Sequence, residues 1–147
     1  MTARALLLGP ALLLCAAAPA VQDAGTTVSV TVEGLRSARG QVLACLTANP
    51  RDFPDCNKDP AARHLSIAAA PGETLVFRDV PPGRYALSMF HDENGNGKLD
   101  KLLMMPKEGF GFSRDAPVRF GPPSFKAAAF DVSKVDVRTQ IRMRYMF

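Results

Sequence analysis

The stretch His91-Asp92-Glu93-Asn94-Gly95-Asn96-Gly97-Lys98-Leu99-Asp100 puts oxygen-bearing groups at every second position around a glycine, the pattern that wraps a hard cation. With Asp92 as the first loop position, Asn94 is third, Asn96 fifth, Gly97 sixth, the Lys98 carbonyl seventh and Asp100 ninth. The twelfth position breaks the pattern, because Leu103 stands where a bidentate Glu is needed. Glu108, in the segment that follows, is the carboxylate that could complete the set. The expectation is a weak calcium site made by Asp92, Asn94, Asn96, Lys98, Asp100 and Glu108, with a dissociation constant on the order of 10⁻⁴–10⁻³ M. A metal-free reading stands beside it, since Asn94-Gly95 and Asn96-Gly97 are both tight-turn pairs.

Catalysis finds less support. His91 beside Asp92 and Glu93 could seed a metal-assisted hydrolase, with His as ligand and a carboxylate as base. His64 is the one other histidine, and neighbouring strand residues point to opposite faces. Ser88, Ser113 and Ser124 lack a G-x-S-x-G context. The chain is therefore expected not to be an enzyme, with a hydrolase centred on His91 kept as an alternative. Arg138, Arg142 and Arg144 form a basic stripe, read as a solvated sheet face; the alternative is a patch for envelope polysaccharide or lipid head groups.

The elements that must position these residues follow an apparent leader. Arg4, an apolar run from Ala5 to Ala18 and the triplet Ala18-Pro19-Ala20 read as a signal peptide over residues 1–20, cut after Ala20. The run is shorter than the roughly 20 residues that span a bilayer. Cys15 follows Leu14, where a lipid-attachment site wants a small residue. Residues 21–147 then suit one domain, periplasmic or secreted, with no transmembrane segment in the mature chain. The net charge of +4 is spread along the chain, which argues against nucleic acid and leaves an envelope component or small ligand as the expected partner. Cys45 and Cys56 are the cysteines left after cleavage, and an oxidising compartment predicts a disulfide between them.

Nearly every segment alternates with a period of two. Val28, Val30 and Val32 share one face of a first strand, and Val42, Ala44 and Leu46 share one face of a second, with Cys45 opposite. Leu65 and Ile67, then Leu75 and Phe77, mark two short strands around Pro71-Gly72. Asp79-Val80-Pro81-Pro82-Gly83 is a turn that launches a strand from Arg84 to His91, with Tyr85, Leu87 and Met89 on one face. A last strand from Val135 to Tyr145 alternates apolar with basic residues. The fold class is therefore all-β: a single antiparallel β-sandwich of about seven strands. Met104 to Ala128 holds Phe110, Phe112, Phe120 and Phe125 among glycines and prolines, and is expected to be an ordered loop packed on the sandwich.

Gly34-Leu35-Arg36-Ser37 with Gly40-Gln41-Val42, Pro81-Pro82-Gly83-Arg84-Tyr85-Ala86, the His91–Asp100 stretch, Pro106-Lys107-Glu108-Gly109-Phe110-Gly111-Phe112-Ser113 and Phe120-Gly121-Pro122-Pro123-Ser124-Phe125 occur in this order. Together they resemble the bacterial domain of unknown function 2141 family. The resemblance spans essentially the whole mature chain and implies an exported β-sandwich of Gram-negative bacteria, with no activity attached. The Pro-Pro-Gly-Arg-Tyr launch is also similar to the entry strand of transthyretin-like and carboxypeptidase-regulatory-like sandwiches, a likeness of fold alone.

Overall fold

The computed structural model describes residues 25–147, where most of the alternating segments form strands. The expected signal peptide and Cys15 lie outside the described residues. In chain order the elements are β1 (Thr26–Glu33), β2 (Gln41–Thr47), β3 (Arg63–Ala68), β4 (Thr74–Val80), β5 (Gly83–Asp92), β6 (Lys101–Leu102), β7 (Met105–Pro106) and β8 (Gly109–Phe112). A 3-10 turn (Ser113–Asp115), a one-turn helix α1 (Phe125–Ala128), β9 (Phe130–Val132) and β10 (Val137–Arg142) complete the chain.

One sheet has the order β10-β1-β4, and the other runs β3-β2-β5-β8, with β9 pairing the start of β5. All pairs are antiparallel except β1 and β10, which run parallel from Val28 opposite Val137 to Glu33 opposite Arg142. The inner faces supply one apolar cluster. Val28, Val30, Val32, Leu75 and Ile141 come from the first sheet, and Val42, Leu46, Leu87 and Met89 from the second. Each such side chain, once removed from water, stabilises the fold by roughly 1.5–3 kcal/mol before ordering costs.

The second sheet is also covered on its outer face. Ala86, Phe110, Phe112, Ala116 and Ala128 form a separate cluster there, with Phe53 and Phe125 against it. Phe53 meets Phe112 and Phe125 edge to face, at 5.9 Å and 6.1 Å between ring centroids. Phe53 belongs to the loop fastened by the Cys45–Cys56 disulfide, so Cys45, facing away from the inner core, secures this outer layer.

The all-β architecture agrees with the sequence reading, and four details differ, the first being the parallel β1–β10 pair in a sandwich expected to be antiparallel. There are ten strands where about seven were expected, because β6 and β7 hold two residues each and β9 three. The segment 104–128 is more regular than a loop, since Gly109 and Gly111 lie within the edge strand β8. A Cβ at Gly109 would stand 2.4 Å from the Tyr145 ring, and one at Gly111 2.7 Å from Ile141 Cγ2; the glycines mark close packing, not a turn. The final strand is shorter than Val135–Tyr145. Asp136 Oδ1 accepts from Thr27 N–H at 2.9 Å at its start, leaving Val135 exposed. At its end the chain crosses to the other sheet, where Phe110 and Arg144 exchange two backbone bonds at 2.9 Å and 2.8 Å.

Candidate functional site

β5 delivers His91 and Asp92 to one end of the second sheet, where the turn into β2 meets them. Gly40 has φ +70°, and a Cβ there would lie 1.9 Å from the Asp92 carbonyl oxygen, so only glycine fits this approach. The next residue, Gln41, pairs with Asp92 across the strands and donates from Nε2 to Asp92 Oδ2 at 3.0 Å.

Asp92 is fully buried. Its Oδ1 accepts from Asn96 N–H at 3.0 Å and its Oδ2 from Gly97 N–H at 2.8 Å. Burial pushes its pKa up, but the Gln41 amide and the backbone N–H groups of Gly97 and Asn96 outweigh that, and the net direction is down. Asn94 Oδ1 accepts from Asn96 N–H at 3.1 Å, and Asn96 Oδ1 from Lys98 N–H at 2.8 Å. These local bonds curl the backbone as Asx turns do.

The loop's far end is Asp100. It accepts from Asn94 Nδ2 at 2.6 Å and from Asn96 Nδ2 at 3.1 Å. Glu108, buried, spans the mouth of the loop: Oε1 accepts from Glu93 N–H and Oε2 from Asp100 N–H, each at 3.1 Å. The structure thus brings together Asp92, Asn94, Asn96 and Asp100 within the loop and sets Glu108 at its mouth. Glu108 braces both ends of the loop through its backbone, while the Lys98 side chain is exposed and contributes only main chain. Among the described residues, no group of three His, Cys, Asp or Glu side chains is placed to hold a metal ion. Any cation here would depend on amide and carbonyl oxygens as much as on carboxylates.

His91 is fully buried and takes no part in the loop. Its Nε2 lies 2.7 Å from the Arg39 carbonyl, an acceptor only, which assigns the proton to Nε2. Nδ1 lies within hydrogen-bond distance of the Tyr145 hydroxyl at 2.8 Å, and Tyr145 accepts from Arg36 N–H at 3.2 Å. The Arg36 guanidinium lies 4.5 Å from the centre of the Tyr145 ring.

Glu93 completes this cluster. It accepts from Arg36 Nε at 3.1 Å and from Ser37 Oγ at 2.7 Å, with Arg39 3.6 Å away. The Arg36 hydrogen bond, against the opposing effect of burial, lowers the Glu93 pKa from the ordinary 4.5 to about 2. Sequence reasoning missed Gln41, Arg36, Ser37 and Tyr145. The signal was thin: they stand in other segments, and only the fold brings them to the end of β5.

Among the described residues no helix is long and apolar enough to cross a membrane. Residues 30–140 match the family model described as "Uncharacterized protein conserved in bacteria (DUF2141)". No curated protein and no solved structure matches the chain.

Proposed function

This chain belongs to the domain of unknown function 2141 family of bacterial proteins, and from that premise we propose that it is an exported, non-catalytic β-sandwich module. In this reading the 92–100 loop takes calcium weakly and braces the path from β5 into the β6–β7 hairpin. The carrying observation is the placement of Asn94, Asn96 and Asp100 in one loop that the Asn96 and Gly97 N–H groups curl around the buried Asp92, with Glu108 closing the mouth. Oxygen ligands of mixed charge around a tight turn suit a hard cation, and few carboxylates suit low affinity. The non-catalytic reading is supported by His91, whose two ring nitrogens are both engaged inside the protein.

A second reading, an envelope ligand- or partner-binding module without metal, is favoured by one observation. The Asn94 and Asn96 amides already donate to Asp100, so the loop satisfies itself as a hairpin. Thermal melts in calcium, in chelator and in zinc separate these readings and the His91 hydrolase. At a tenfold excess over the dissociation constant, calcium should stabilise the fold by about 1.4 kcal/mol. A calcium-specific rise that disappears in Asp100→Ala supports the braced loop. No response to any ion favours the metal-free module, and a zinc response that requires His91 favours the hydrolase.

A further inference from the structure

We propose that the β6–β7 hairpin is a membrane-docking finger that inserts its apolar tip into a bilayer carrying anionic head groups. The tip residues Leu103 and Met104 both have positive φ, 49° and 72°. Tight turns of this kind favour Asn and Gly, and large side chains are strained there. Leu103 and Met104 are nevertheless 86% and 89% exposed, and Leu102 and Met105 beside them are exposed as well. The tip carries backbone strain and apolar exposure together.

The patch continues beyond the hairpin. Met104 and Met105 line one groove with Phe120, Pro122 and Met146, and Phe120 is fully exposed. Charge identifies the occupant. Lys98, Lys101 and Lys107 bracket the tip in sequence and are all exposed, and Lys101 and Arg119 border the same groove. Lysine stems can lie along an apolar surface while their ammonium groups reach lipid phosphates. On the acidic side, Asp55 lines the groove, and Asp100 is engaged by the Asn94 and Asn96 amides. Exposed apolar residues at the tip, continuous with Phe120 and flanked by Lys98, Lys101, Lys107 and Arg119, match an anionic bilayer.

This inference goes beyond the calcium reading and does not need it. Lys107 N–H donates to the Asp100 carbonyl at 2.8 Å and holds the hairpin base without a metal. The test is co-sedimentation, in chelator, of the protein in the form the cell exports. The probes are phosphatidylglycerol/phosphatidylethanolamine vesicles and phosphatidylcholine vesicles. Binding to the anionic vesicles is expected to fall about tenfold or more in a Leu103→Ser/Met104→Ser double variant. Lys101→Gln and Lys107→Gln should each lower it about fivefold. Phe120→Ser, in a separate segment, should weaken binding too, and it decides the matter should the double variant not melt like the wild type. Absence of binding to anionic vesicles overturns the proposal, as does binding that the tip and Phe120 substitutions leave unchanged. So does a stable dimer or protein complex that needs Leu103 and Met104 while vesicles are ignored. A protein that ignores calcium but binds vesicles loses the loop reading and keeps this one.

Discussion

The space between the two sheets and the end of β5 hold the chain in opposite ways. Between the sheets, Val28, Val30, Val32, Leu46, Leu75, Leu87 and Ile141 are fully buried and contribute only apolar contact. At the end of β5, His91, Asp92 and Glu108 are just as buried, but each is held by hydrogen bonds to other segments. Dispersion and hydrophobic burial tolerate small shifts of direction; a hydrogen-bonded carboxylate does not. The first region decides whether the chain folds, and the second decides where the 92–100 loop and its hairpin point.

The largest effect that would sharpen this contrast is Leu87→Ala. It should destabilise the protein by about 2–5 kcal/mol in denaturant unfolding, through a cavity between the sheets. Reducing the Cys45–Cys56 disulfide comes next, with a loss of about 2–3 kcal/mol that loosens the outer aromatic layer around Phe53. Glu108→Gln preserves size but weakens the bonds to Glu93 and Asp100. A cost of about 1–2 kcal/mol is expected, with faster hydrogen exchange at those two amides and little change in the inner strands. If exchange quickens everywhere instead, the two regions are a single unit and the contrast fails.

Acid should act on the polar region in particular. Glu93 has a folded pKa of about 2, below its ordinary 4.5. Its contribution is therefore fully present above about pH 4.5 and is lost as pH falls towards about 2. Melting temperature should drop across that window more steeply in the wild type than in Glu93→Gln. Equal slopes would show that the Arg36–Glu93 pair contributes nothing to stability. The smallest effect belongs to Leu103→Ser, which should change stability by less than about 0.5 kcal/mol because the tip has no part in either region.

The inner core was legible in the sequence because a period of two survives wherever one face of a strand is buried. Val28 to Val32, Val42 to Leu46 and Tyr85 to Met89 follow it directly. β8 was not legible, since Gly109 and Gly111 look like turn residues when the side chains that press on them, Tyr145 and Ile141, stand some thirty residues later. The parallel pairing of β1 with β10 was hidden for a related reason: alternation fixes a strand's faces, not its neighbour or direction. In the candidate site, the turn-forming residues announced themselves by spacing. Glu108 was expected as a further carboxylate for the loop, and its use as a brace for two backbone N–H groups depends on the β8 edge that carries it back.

An amide-resolved NMR titration with calcium tests most directly whether the 92–100 loop is a weak calcium site. A bound calcium ion should give saturable shifts centred on Asn96, Gly97, Lys98 and Asp100, with a dissociation constant on the order of 10⁻⁴–10⁻³ M, and no such shifts in Asp100→Ala. Spectra unchanged up to about 10 mM calcium, well above that range, would contradict it, as would shifts that gather elsewhere on the sandwich.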